Sequence, residues 1–187
     1  LVFSLSLISQ TTSYLYEVDP VDANSLLSVG ASGTVLRSAD RGSSWSAQSS
    51  GISEQLNGVS TAGSHSLAIG YTSFAGSGIY RSTSSGSSWT SLTRTTETLQ
   101  GVADIDGVTA YVIGNKGTIM KTANGGTTWT AQSVPSGFPI DVDSKPTDLW
   151  GIAFTDATHG IAVGKQGSII QTTDGQNWSL RSSGTTQ

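Results

Sequence analysis

Apolar residues fall along the chain in short groups, each cut off by Asp, Gly, Asn or Ser. The stretch after residue 148 shows the pattern most plainly. There "LWGIAF" reads as one short apolar strand, "GIAVG" as a second, "SIIQT" as a third and "WSLRS" as a fourth, with turn residues between them. β-Branched and apolar residues dominate "TVL", "TIM" and "SII", which favours strand over helix. The same order of parts recurs upstream in "LYEVDPVDANSLLSVGASGTVLRSADRGSSW", "LNGVSTAGSHSLAIGYTSFAGSGIYRSTSSGSSW" and "LQGVADIDGVTAYVIGNKGTIMKTANGGTTW".

The repeat is dated by its tryptophans. Trp45, Trp89, Trp129 and Trp178 are separated by 44 (89−45), 40 (129−89) and 49 (178−129) residues, a period in the range of propeller blades. Four antiparallel strands per repeat make one blade, so the chain reads as all-β, a β-propeller segment of four four-stranded blades. The expected blades cover 15–50, 56–95, 99–132 and 149–183, with an inter-blade insertion over 133–148. Residues 1–13 are expected to supply the outer strand of a preceding blade, which makes the chain part of a larger propeller of about seven blades. A small propeller and half of an oligomeric ring are the other arrangements the count allows. An incomplete ring exposes blade faces, so the 187-residue chain is expected to associate.

Each blade closes on a polar loop ending in Trp: "SADRGSSW", "STSSGSSW", "TANGGTTW" and "TTDGQNW". In the first, Asp40 can accept backbone N–H bonds across the turn, Gly42 can take a positive φ, and Trp45 can start the outer strand and bury its ring. The corresponding residues are Ser84, Gly86 and Trp89, then Asn124, Gly126 and Trp129, then Asp174, Gly175 and Trp178. Ser84 and Asn124 can still accept the bond that Asp accepts. A catalytic or metal-bound carboxylate would not survive such swaps, so these loops are structural staples.

The loops resemble the Asp-box, or BNR, repeat, S/T-x-D-x-G-x-x-W. With their flanks, as in "VGASGTVLRSADRGSSW", "IGNKGTIMKTANGGTTW" and "VGKQGSIIQTTDGQNW", they look most like the photosystem II stability and assembly factors of cyanobacteria and plastids. The resemblance spans residues 15–183. It implies a seven-bladed fold and a protein-binding scaffold, an assembly or accessory subunit of a photosynthetic membrane complex located in the thylakoid lumen or otherwise outside the cytoplasm. Asp boxes also occur in sialidases and xyloglucanases, so the alternative is a carbohydrate-binding module or a fragment of a glycoside hydrolase. Departures are visible too: the second copy carries the insertion "TSFAGS", and the fourth loop is one residue short.

Charge removes other classes. A net charge of −4, a pI near 4.9 and only nine scattered basic residues argue against nucleic acid. No Cys is present, which excludes disulfides, zinc–thiolate sites and cysteine nucleophiles. No run reaches the roughly 20 apolar residues of a spanning helix, so membrane association would be peripheral. "LVFSLSLIS" reads either as the end of a signal-peptide apolar region or as a strand of a preceding repeat.

Candidate chemistry is sparse. Sialidase-like catalysis needs an arginine triad, but only Arg37 and Arg81 fall at equivalent third-strand positions. Asp104 with Asp106, or Asp141 with Asp143, could pair as glycosidase carboxylates, although solvated turn residues explain both. Asp141, Asp143 and Asp148 lack an EF-hand pattern, and His65 and His159 sit in turns without a relay. The expectation is therefore no catalytic residue, no metal and no cofactor. Protein contacts are expected at first-to-second-strand turns together with the 133–148 insertion, where Phe138, Ile140, Asp141 and Asp143 are the candidate partner-binding residues.

Overall fold

A computed structural model describes residues 11–72 and 75–184, so the outer strand expected over 1–13 lies almost wholly outside the described residues. Four separate four-stranded antiparallel sheets follow one another along the chain. The first blade holds β1 (Leu15–Pro20), β2 (Leu26–Gly30), β3 (Val35–Ser38) and β4 (Ser46–Gln48). The second holds β5 (Gln55–Ala62), β6 (His65–Thr72), β7 (Gly76–Ser82) and β8 (Thr90–Thr95). The third holds β9 (Leu99–Asp104), β10 (Ala110–Gly114), β11 (Ile119–Thr122) and β12 (Thr130–Gln132). The fourth holds β13 (Leu149–Phe154), β14 (Gly160–Gly164), β15 (Ile169–Thr172) and β16 (Trp178–Arg181).

The hydrophobic cores lie between blades, because each sheet is apolar on both faces. In the first blade Leu27 and Val29 of β2 and Val35 of β3 face forward and pack with Leu56, Val59, Ala68 and Tyr80 of the second. Leu67, Ile69 and Ile79 meet Leu99, Val102 and Val112 in the next gap. Tyr111, Ile113 and Ile119 meet Leu149, Ala162, Ile170 and Trp178 in the third. Alternation along each middle strand thus sends one set of residues to the blade behind and the other to the blade ahead.

Polar bonds cross the same gaps near the inner strands. Glu17 Oε2 accepts the Val59 amide at 2.8 Å, Asp19 Oδ2 accepts the Thr61 amide at 2.7 Å, and the Asp104 amide donates to Ser60 Oγ at 3.0 Å. Where β10 ends, the Asn115 amide reaches the Thr98 carbonyl at 2.9 Å, and a Cβ on Gly114 would lie 2.2 Å from that oxygen. Glycine is required there by close approach of two backbones, and Gly30 and Gly164 hold the same position in their blades.

Strand direction separates the loops into two ends. First-to-second-strand turns share an end with the Asp-box loops, to which they bond through Arg41 N to Asn24 O, Ser85 N to Ser64 O and Gly125 N to Val108 O. The 133–148 insertion leaves β12 at the opposite end, beside the tight turns that link second to third strands. There the Lys116 amide donates to Asp148 Oδ1 at 3.0 Å. The expected single surface made of first-to-second-strand turns plus the insertion is therefore corrected, because an antiparallel blade puts these connections a full strand length apart.

Candidate functional site

The Asp-box loops are built as one device with four spellings. Ser44 N donates to Asp40 Oδ1 at 2.8 Å, Ser88 N to Ser84 Oγ at 3.0 Å, Thr128 N to Asn124 Oδ1 at 2.9 Å, and Asn177 N to Asp174 Oδ1 at 2.7 Å. The strand-end hydroxyl contributes a second bond, from Gly42 N to Ser38 Oγ, Gly86 N to Ser82 Oγ and Gly126 N to Thr122 Oγ1. Asp40 is held below its usual carboxylate range first by the Ser44 hydroxyl, and Asp174 first by the Asn177 side chain. Both carboxylates are thus committed to the turn.

The shortened fourth loop changes the part Gly175 plays. Gly42, Gly86 and Gly126 have φ of 84° to 86° and follow a left-handed residue, whereas Gly175 has φ 68°, like Arg41 at 60° and Gly125 at 64°. Gly175 also donates its amide to Thr172 Oγ1 at 2.9 Å. One glycine therefore fills both turn positions. Its carbonyl accepts from Tyr111 Oη at 2.9 Å, Lys121 Nζ at 3.0 Å and Gln132 Nε2 at 3.0 Å, all from the preceding blade. Burial, and secondarily the Asp174 charge, push the Tyr111 hydroxyl up to about 12, so it stays a donor.

The Trp rings of the second, third and fourth blades attach each to the one before it. Trp89 packs on the core shared by the first two blades, and Trp129 on that of the second and third. Trp178 meets the Tyr111 ring edge-on at 6.4 Å, and its Nε1 donates to Gln132 Oε1 at 2.8 Å. The expectation that all four would be largely buried is corrected for Trp45, which is exposed because no described blade lies behind it.

At the insertion end the candidate residues separate. Phe138 is buried with Ile113, Ile119 and Leu149, so it fills the gap between third and fourth blades and is corrected from a surface anchor to a core residue. Ile140 is 55% exposed and pairs with Pro146 in an isolated bridge. Asp141 Oδ1 accepts the amides of Asp143 at 2.9 Å and Lys145 at 3.0 Å, and these bonds, chiefly that of Lys145, hold its carboxyl low. The resulting small hairpin presents Val142 wholly to solvent. Sequence reasoning missed Val142, although its place between Asp141 and Asp143 in alternating "IDVD" was the available signal.

The remaining candidates are spoken for by the fold. Arg81 Nη1 donates to Gly125 O at 2.7 Å and Arg37 Nη2 to Ser25 Oγ at 3.4 Å, with Lys121 as the third member of this series. Asp104 is buried and its Oδ1 accepts the Gly107 amide at 2.9 Å, while Asp106 caps Val108 and Thr109. His159 lies 3.0 Å from Asp156 in an exposed turn, and His65 opens β6. Among the described residues no group of three or more His, Asp and Glu is placed to hold a metal, and no helix is long and apolar enough to cross a membrane. A cleft of about 420 Å³ at the rim between second and third blades is lined by Arg94, Glu97, Met120 and Gln132 among others, none of them aromatic.

Four consecutive four-stranded blades, each closed by the same amide-capping loop and the last three stapled backward by Trp, define an Asp-box β-propeller. Within that class, residues 5–137 match the family described as photosynthesis system II assembly factor YCF48, and the chain belongs to that family. Its fold is similar to that of YCF48 bound to a D1 peptide, at 19% identity and a TM-score of 0.70, covering 95% of this chain and 56% of that one. It is likewise similar to YCF48 from Cyanidioschyzon merolae, at 20% identity and a TM-score of 0.68, covering 95% and 60%. An ancestral GH74 enzyme shares the fold at 16% identity and a TM-score of 0.67, with 94% of this chain and 26% of that enzyme covered. No curated protein matches the chain. The chain thus spans between one half and two thirds of the length of these YCF48 structures.

Proposed function

We propose that the chain is a non-enzymatic, protein-binding propeller that takes part in photosystem II assembly by holding a peptide segment of a membrane subunit, in the thylakoid lumen or an equivalent extracytoplasmic space. The observation that carries this reading is the family match over residues 5–137, and the likeness to YCF48 bound to a D1 peptide supports a peptide as the partner. The low charge and the heavy use of Ser and Thr accord with that setting. No cofactor enters the reading. We assign the contact to the insertion hairpin, with Ile140 and Val142 as apolar anchors and Asp141 and Asp143 on the rim. Phe138 supports the hairpin from beneath.

The GH74 likeness favours a glycoside-directed reading by fold alone. Against it stand carboxylates occupied by backbone amides and a rim cleft without aromatic walls. Anisotropy of a labelled D1 peptide titrated with the chain tests the proposal. Ile140→Ser with Val142→Ser should weaken binding about tenfold. Unaltered affinity would move the contact off the hairpin, and hydrolysis of a glycoside panel lost on Asp104→Asn would replace the reading with the carbohydrate one.

A further inference from the structure

The first strand of every blade carries one residue too many for its partner. Leu15 and Glu17 pair with successive second-strand residues while Tyr16 between them pairs with none, and the same break falls between Leu56 and Gly58, Leu99 and Gly101, and Leu149 and Gly151. The bulged residues are therefore Tyr16, Asn57, Gln100 and Trp150. A bulge re-aims a side chain out of the strand's alternation. Leu56, Leu99 and Leu149 fill the gaps between blades at no more than 1% exposure, whereas Asn57 and Gln100 beside them stay partly exposed although their blades have described neighbours on both sides. Trp150 is 53% exposed and takes no part in the core that Leu149 fills. In each sheet the bulged strand is an edge, and these edges pack on one another, β1 on β5, β5 on β9 and β9 on β13, while the fourth strands make no comparable contact. The first strands thus line the axis on which the blades converge, and the bulges open onto it at the insertion end.

This axial row is uncharged and incompletely bonded. Tyr16 Oη donates to Gln55 Oε1 at 3.3 Å, Gln55 Nε2 to Asn57 Oδ1 at 2.7 Å, and Gln100 Nε2 to Asn115 Oδ1 at 3.1 Å. Asn57 Nδ2 is left as a donor and Gln100 Oε1 as an acceptor, neither with a partner among the described residues. A peptide group supplies the complementary acceptor and donor. Charges beside the row are spoken for: Glu54 pairs with Arg94 and Lys116 with Glu97, while Glu17 accepts the Val59 amide and Asp148 that of Lys116. We propose that the bulged residues bind a neutral, extended peptide segment at the axis, with Asn57 and Gln100 reading its backbone and the Trp150 ring covering one of its apolar side chains. The inference rests on the peptide-holding reading above and carries its contact inward, since the insertion bears the hairpin and delivers Trp150 to the axis where it ends.

Anisotropy of the labelled D1 peptide reads this row separately from the hairpin. Trp150→Ala should weaken binding about tenfold, and Asn57→Asp, which exchanges the free donor for an acceptor, about fivefold. The Trp150→Ala loss should be equal at low and high salt, because no ion pair is involved. Urea midpoints matching the unsubstituted chain check that each variant folds. Binding that falls with Ile140→Ser and Val142→Ser yet ignores Trp150→Ala and Asn57→Asp overturns this inference and leaves the peptide reading standing. A chain that does not bind the peptide overturns both. A Trp150→Ala loss that vanishes at high salt gives the row to an ion, and an oligosaccharide of the glycoside panel held through Trp150 gives it to a sugar; either result overturns the proposal.

Discussion

Replacing Trp178 and Trp45 by Ala should give two very different costs, although both residues close the same motif. Trp178 is 6% exposed, lies edge-on to Tyr111 at 6.4 Å and to Phe154 at 6.1 Å, and donates to Gln132. Removing it forfeits ring burial and two aromatic contacts and leaves a cavity between blades, for about 3–5 kcal/mol. Trp45 is 41% exposed with no described blade behind it, so its removal should cost about 1–2 kcal/mol by area. Urea midpoints followed by far-ultraviolet circular dichroism measure both. A Trp178→Phe variant separates ring from donor: it should recover most of the loss, falling short by about 1 kcal/mol for the orphaned Gln132 oxygen. Equal costs for Trp45 and Trp178 would refute the view that the motif works by gripping the preceding blade, and would locate its value inside its own hairpin.

Burial raises the Asp104 carboxyl above the ordinary aspartate range, only partly offset by the Gly107 amide and the nearby His65. A raised acid favours the protonated form in the folded state, so stability should fall as pH rises through its native value. Asp104→Asn keeps an acceptor for Gly107 without the charge; it should flatten that fall in urea midpoints measured from about pH 4 to pH 8, and an unchanged slope would show the decline comes from elsewhere. At the third Asp box, Asn124→Asp should leave the thermal midpoint nearly unmoved, since Thr128 can donate its hydroxyl as Ser44 does to Asp40. Asn124→Ala removes the acceptor for Thr128 N and should cost about 1 kcal/mol.

Local pattern made the four blades readable, because alternation, turn residues and a period marked by Trp are all written within one repeat. The amide caps on Asp40, Ser84, Asn124 and Asp174 were legible for the same reason: acceptor and donor lie three or four residues apart. What escaped depends on the neighbouring blade. Phe138 reads as an apolar handle in a polar loop, and only the wedge bounded by Ile119 and Leu149 makes it core. Trp45 and Trp178 look alike in sequence and differ in burial because one has a blade behind it. The separation of the insertion from the first-to-second-strand turns follows from strand direction and was derivable from the four-stranded reading, but a linear view of loops hides it.

The backward grip of Trp89, Trp129 and Trp178 also gives the chain a direction in time. A ribosome delivers the first blade before the second, so when Trp89 emerges the face carrying Leu27 and Val35 already exists to receive it, and the same holds for Trp129 and Trp178. No staple waits for sequence still inside the exit tunnel. Growth can proceed like courses of masonry, each new layer bonded downward to a finished one and leaving its own forward face open for the next. A chaperone following the synthesis of these four blades therefore meets one new blade's width of forward surface at a time, and that surface moves with the growing end.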